Sequence, residues 1–102
     1  MAAETSIRPA SPEAERAVNE ALRERLRDHG FQRATVVADE DHDGTEVLYV
    51  DVDFGLTEAP VDPEMVIGLT QLVREALATV SETRYPIVRH HFDERQKVAG
   101  WR

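Results

Sequence analysis

Residues 34–54, ATVVADEDHDGTEVLYVDVDF, consist of two β-rich runs joined by a polar segment that ends in glycine. Two such runs separated by a short turn sequence predict a β-hairpin. We expect a three-residue loop over residues 42–44, in which Gly44 adopts the left-handed conformation after a type I turn. This loop places Asp41 opposite Thr45 and thereby sets the register of both strands.

The predicted register divides the hairpin into an apolar side and a polar side. Because side chains alternate along a strand, a slip of one residue would exchange the two sides. A two-residue turn at Asp43 and Gly44 would place carboxylates opposite the apolar row, so the three-residue loop is favoured. The opposed pairs are Ala34 with Val52, Val36 with Val50 and Ala38 with Leu48 on the apolar side, and Arg33 with Asp53 and Thr35 with Asp51 on the polar side.

A helix is predicted before the hairpin. Ser11 fits an N-cap, Pro12 fits the first turn, and Glu13 suits the positive end of the helix dipole. Apolar residues then recur at spacings of three and four, which predicts one buried stripe. Glu15 and the other charged residues lie off this stripe, and we expect them on a solvated face. The stripe consists of Ala14, Ala17, Val18, Ala21, Leu22 and Leu26.

A second helix and a third strand are predicted after the hairpin. Asp62 fits the N-cap of this helix and Pro63 its first position. The strand is expected over residues 85–92, between a short polar segment and a charged tail. The apolar positions of the second helix cover more than half of its circumference and are Met65, Ile67, Leu69, Leu72, Val73, Ala76, Leu77 and Val80.

The order α-β-β-α-β predicts an α+β fold, a two-layer sandwich in which both helices cover one face of a three-stranded, mainly antiparallel sheet. The third strand lies either beside the first, antiparallel, or beside the second, in parallel after a crossover. Both positions satisfy the sequence pattern. We expect a flexible N-terminal arm over residues 1–10, a single domain over residues 11–93 and a charged C-terminal tail over residues 94–102.

The composition excludes several classes of function. The chain has 102 residues, a net charge of −8 and no cysteine, so it has no disulfide framework, thiolate nucleophile or cysteine zinc cluster. The negative charge disfavours nucleic acid as a partner, because that affinity comes largely from Lys and Arg. Without an apolar run of the ~20 residues that span a bilayer, or a secretory signal, we expect a cytoplasmic protein that does not bind membranes.

Two adjacent histidines, His90 and His91, end the third strand. Side chains alternate along a strand, so they point to opposite faces. His91 can therefore meet Asp51 and Asp53 on the face without helices, and these three residues form a candidate site for a metal-binding protein or a metal-dependent enzyme. A half-exposed strand end explains the histidines without a metal. No catalytic residue and no cofactor is predicted.

The element order also resembles that of the RNA-binding KH domains, which mix helices with a three-stranded sheet. That resemblance implies an RNA-associated protein as a minor alternative. The Gly-x-x-Gly loop with which KH domains hold the RNA backbone has no counterpart among the five glycines of this chain. Positive charge is nevertheless concentrated near the C-terminus, at Arg84, Arg89, Arg95, Lys97 and Arg102.

The leading hypothesis is a small, acidic, non-catalytic accessory or protein-interaction module. A three-stranded sheet leaves one face and two edges uncovered, and these surfaces suit a protein partner or a second copy of the chain. We therefore expect a homodimer or a larger homo-oligomer that forms through the uncovered face or an edge strand. Large, mostly aromatic side chains serve as interface anchors, and the candidates are Tyr49, Tyr85, Ile87, Phe92 and Trp101.

Overall fold

The computed structural model describes residues 7–57 and 63–95, and it confirms the predicted order of elements. A single turn of 3-10 helix, Pro63–Val66, precedes the second α-helix. The elements are α1 (Pro12–Arg25), β1 (Phe31–Glu40), β2 (Glu46–Phe54), α2 (Leu69–Ala78) and β3 (Tyr85–His91).

The hairpin of β1 and β2 has the predicted loop and register. Gly44 has a φ of +80°, and its N–H donates to the carbonyl of Asp41 over 3.0 Å. The N–H of Asp41 donates to the carbonyl of Thr45 over 2.9 Å, which closes the loop. All five predicted cross-strand pairs are present. The Asp41 carboxylate also accepts from the N–H groups of Asp43 and Thr45, so this side chain stabilises the turn.

The third strand lies beside β2 and runs parallel to it, which resolves the alternative that the sequence left open. The sheet is therefore mixed, with order β1-β2-β3 and β2 in the centre. α2 returns the chain to the end of the sheet at which β2 begins, so β3 runs in the direction of β2. Because β3 lies beside β2 and not beside β1, the polar side of β2 has neighbours from both edge strands.

The core lies between the two helices and one face of the sheet. The helices supply buried Val18, Leu22, Leu69, Val73 and Leu77, among others. From the sheet, the core takes the predicted apolar side of the hairpin, with Val50 and Val52 fully buried. Both helices therefore cover the same face, as predicted.

The second helix begins later than the sequence pattern predicts. Residues from Pro63 form the 3-10 turn, and α2 itself starts at Leu69, after Gly68 in the left-handed conformation (φ +86°). Because this glycine turns the chain away from the helix axis, Ile67 is 67% exposed instead of belonging to the buried stripe. The predicted N-cap, Asp62, and the side chain of Met65 lie outside the described part of the chain.

The segment before α1 contacts the domain at several points. Ala10 packs against the core, and the Arg84 guanidinium donates to the backbone carbonyls of Arg8 and Pro9. Within the predicted arm, Arg8 and Pro9 are therefore bonded to the segment before β3 and Ala10 packs against the core, while residues 1–6 lie outside the described part.

Candidate interaction surface

The helices leave one face of the sheet uncovered, and we call it the open face. Alternation assigns to it every second residue of each strand, opposite to those that contact the helices. The register aligns these residues in four rows across the sheet. The rows are Asp39-Val47-Tyr85, Val37-Tyr49-Ile87, Thr35-Asp51-Arg89 and Arg33-Asp53-His91.

Half of the open face is apolar. Val37, Tyr49 and Ile87 form a continuous row over all three strands, and Tyr85 adjoins it; we call these four residues the apolar strip. Val37 is 47% exposed and Tyr85 is 54% exposed, so the strip is accessible. Val47 of the central strand continues the apolar surface but is itself buried.

The other half of the open face is a network of charges. Arg89 donates to both carboxylate oxygens of Asp51, over 2.8 and 2.9 Å, and its guanidinium lies 4.4 Å from the centre of the Tyr49 ring. The hydrogen bond from Arg89 lowers the pKa of Asp51, and a second one from His91 adds to the effect. Beside them, Arg33 pairs with Asp53 over 3.3 Å.

The structure brings together two of the three residues of the predicted metal site. The Nε2 atom of His91 lies 2.7 Å from Oδ1 of Asp51, whereas Asp53 pairs with Arg33 instead. Asp51 already accepts hydrogen bonds from Arg89 at both oxygens, which leaves little room for an ion. Within residues 7–57 and 63–95, no three carboxylate or imidazole groups converge as metal ligands would. The metal site stays a prediction.

The two adjacent histidines point apart, as predicted. The ring of His90 lies on the helix side, 6.4 Å from that of Phe54, and burial lowers its pKa. Phe92 stacks on Phe54 with ring centres 4.4 Å apart and packs against the core. Of the predicted interface anchors, Tyr49 and Ile87 therefore lie on the open face, and Tyr85 lies at its end, where the guanidinium of Arg74 in α2 is 5.5 Å from the centre of its ring. Phe92 lies beside the core, and Trp101 falls outside the described residues.

The outer edge of β1 is covered by two side chains of α1. The side-chain amide of Asn19 accepts from the N–H of Ala34 over 2.9 Å and donates to its carbonyl over 2.8 Å. The Glu15 carboxylate accepts from the N–H of Val36 over 2.9 Å. The prediction that Glu15 lies on a solvated face is wrong, because α1 lies along the edge of the sheet. Glu15 and Asn19 are four residues apart and therefore lie on the same face of α1, and this spacing is the feature of the sequence that could have indicated their shared contact.

The backbone of β3 has an open outer edge. The N–H and C=O of Ala34 both point away from β2, toward Asn19. Its antiparallel partner Val52 must then point its own N–H and C=O away from β1, toward β3. In a parallel pair, Val52 bonds to Arg89 and His91, the residues on either side of its partner His90. The N–H and C=O of His90 itself therefore point outward, away from β2.

Alternation extends this outward set to Val88 and Pro86. Pro86 has no N–H, and an edge is where a strand tolerates proline. Among the described residues, none bonds to the outward groups of Val88 or His90. The two edges of the sheet therefore differ, since α1 covers part of one and nothing in the described part covers the other.

The positive residues near the C-terminus are neutralised in the described part. Arg84 pairs with Glu82, Arg89 with Asp51 and Arg95 with Asp93. The side chains of Arg84 and Glu82 are only 8% and 6% exposed, and the hydrogen bond between them lowers the pKa of Glu82 to about 2. These arginines do not form a free basic patch. Lys97 and Arg102 lie outside the described residues.

No family model, curated protein or solved structure matches this chain. None of the helices in the described part is long and apolar enough to cross a membrane. The candidate function therefore depends on the geometry of the sheet.

Proposed function

We propose that this protein is a non-catalytic interaction module that associates with a second copy of itself through the open face. The observation that supports this proposal is the apolar strip, which crosses all three strands and is about half exposed at Val37 and Tyr85. Exposed apolar patches with a polar rim are characteristic of interaction sites.

The charge of the open face favours a second copy over a charged partner. Three aspartates and two arginines give it a net charge of −1, with His91 neutral, whereas the whole chain carries −8. The arginines also satisfy Asp51 and Asp53 within the chain. Two copies therefore repel each other least through this face, and no basic partner is needed to neutralise it.

The stabilisation comes from burial of the strip. Removing a side chain of this size from water contributes about 1.5–3 kcal/mol when it passes from fully exposed to buried. A residue that is already half-buried contributes about half of that amount. Burial of the four residues of the strip on both copies therefore contributes about 6–12 kcal/mol. Association costs about 4–15 kcal/mol, so we expect weak self-association, with a dissociation constant from the micromolar to the millimolar range.

The test introduces a charge into the strip. Val37→Glu places an unpaired carboxylate at the interface and is expected to weaken self-association at least about tenfold. Ile67→Glu is the matched control, because Ile67 is exposed and lies in the turn before α2, away from the open face.

Sedimentation velocity from micromolar to millimolar chain concentration provides the measurement, with circular dichroism to verify that both variants are folded. A wild-type chain that stays monomeric over this range would refute the proposal. Equal weakening by both variants would show that the effect is general charge repulsion instead of contact through the strip.

A further inference from the structure

We infer that β3 pairs along its outer edge with β3 of a second copy, antiparallel and centred on Val88, so that two sheets join into one of six strands. This inference rests on the proposed self-association and adds a second contact to it. It starts from the asymmetry of the two edges, because Asn19 bonds to both outward groups of Ala34 and Glu15 bonds to the outward N–H of Val36.

The outer edge of β3 is complementary to itself. Its outward donors are the N–H groups of Val88 and His90, since Pro86 has none. With Val88 opposite Val88 of the second copy, these two residues exchange a pair of hydrogen bonds. Each His90 N–H then reaches the carbonyl of the other copy's Pro86. All four donors that the two edges present are satisfied. The carbonyl of His90 lies opposite Pro86, which has no N–H to offer, and this carbonyl can accept from water instead.

Side chains select this register over its neighbour. A register centred on Arg89 would also satisfy the four donors, but it places Arg89 directly opposite Arg89 of the second copy, and like charges in that position are destabilising. The register centred on Val88 places Ile87 opposite Arg89 and Tyr85 opposite His91. The alkyl stem of Arg89 can then pack on Ile87 while its guanidinium stays on Asp51.

The geometry of this pairing also limits the edge contact to two copies. A two-fold axis through Val88 uses the same edge of both copies, so the contact is complete in a dimer. Pairing of β3 with β1 of another copy would instead form an open-ended array, and the side chains of Asn19 and Glu15 block it. The joined sheets have both open faces on the same side, with Ile87 of one apolar strip beside Arg89 of the other copy. Contact through the open face would therefore join two such pairs.

Amide hydrogen exchange followed by NMR tests the pairing on the wild-type chain. We expect the amides of Val88 and His90 to exchange at least about tenfold more slowly at concentrations where the chain is associated than in the dilute monomer. Arg89 is the internal control, because its N–H points toward β2 and is protected in both states.

A proline variant tests the same contact through affinity. Val88→Pro removes the central outward donor without removing a hydrogen bond inside the monomer, and it is expected to weaken self-association at least about tenfold. Val88→Ala is the control, since it shortens the side chain but keeps the N–H.

The outcomes separate this inference from the proposed function. Slow exchange at Val88 and His90, together with weakening by Val88→Pro beyond that of Val88→Ala, supports the edge pairing. An oligomer that Val37→Glu dissociates, but in which both amides exchange as fast as in the monomer, overturns the edge pairing and leaves contact through the open face. An oligomer that only Val88→Pro dissociates overturns the open-face contact instead, and a chain that is always monomeric overturns both.

Discussion

Asn19 connects the helical layer to the edge of the sheet through a single side chain. The oxygen of its side-chain amide accepts from the N–H of Ala34. The nitrogen of the same amide donates to the carbonyls of Ala34 and Glu15. Edge strands carry unpaired backbone groups that other chains can bind. The side chain therefore stabilises the domain and protects this edge of β1 from pairing.

Asn19→Asp is expected to lower the free energy of unfolding by about 1–3 kcal/mol, because it replaces a donor with an anion that faces two carbonyl oxygens. Urea denaturation measures the change. Glu20→Gln, at the exposed neighbouring position, is the control and is expected to change stability by less than about 0.5 kcal/mol. Equal effects of the two variants would contradict the role of Asn19.

The ion pair of Glu82 and Arg84 is expected to make stability depend on acid pH. Arg84 lowers the pKa of Glu82 from 4.5 to about 2, so the folded state holds the ionised form more strongly than the unfolded state does. The contribution is therefore fully present above the unfolded value and is lost as the pH falls toward about 2. Both side chains are almost fully buried, which limits screening by solvent.

Glu82→Gln is expected to cost on the order of 3 kcal/mol at neutral pH, and this difference from the wild type should shrink as the pH falls from about 5 toward about 2. Denaturation curves at several pH values measure it. Glu24→Gln removes an exposed ion pair with Arg27, for which we expect less than about 1 kcal/mol at any pH. A difference for Glu82→Gln that does not change with pH would contradict this interpretation.

At the scale of elements, the hairpin was predicted residue by residue, whereas the start of α2 was not. The hairpin register depends on a three-residue loop and on an alternation with period two, and both are local properties of residues 34–54. The start of α2 depends on whether Gly68 continues the helix or leaves it. Glycine permits both, so the N-cap signal at Asp62, the proline at Pro63 and the apolar spacing after them favoured the longer helix.

Two glycines with the same left-handed conformation are expected to respond differently to alanine. At Gly44, a Cβ atom would have no neighbour within 4 Å, so Gly44→Ala costs only the conformational strain of about 1 kcal/mol. At Gly30, the Cβ atom would lie 2.7 Å from Cγ2 of Thr57 and 2.9 Å from the carbonyl oxygen of Gly55.

Gly30→Ala must therefore also move backbone where β1 begins and β2 ends, and we expect it to cost at least about 1 kcal/mol more than Gly44→Ala. Thermal and urea unfolding compare the two variants. If both lose the same stability, the close approach between Gly30 and Gly55 is not a constraint on the fold.

At the scale of the whole molecule, the excess negative charge opposes self-association even though the open face is nearly neutral. Each copy carries −8, and most of this charge lies away from the open face. Raising the salt concentration from about 0.05 M to about 0.5 M shortens the range of the repulsion. We therefore expect the dissociation constant of the oligomer to fall a few-fold, as measured by sedimentation. A dissociation constant that rises with salt would indicate that ion pairs, instead of the apolar strip, hold the copies together.

The sequence by itself determined the order of elements, the sides of the hairpin and the opposite directions of His90 and His91, because these depend on periodicity and turn chemistry within short segments. Only the tertiary structure decided that β3 lies beside β2, that Glu15 and Asn19 cover the edge of β1, and that Asp51 pairs with Arg89 and His91. The physical reason is that each of these contacts joins residues distant in the chain, and its partner is chosen by how the helices and strands pack together.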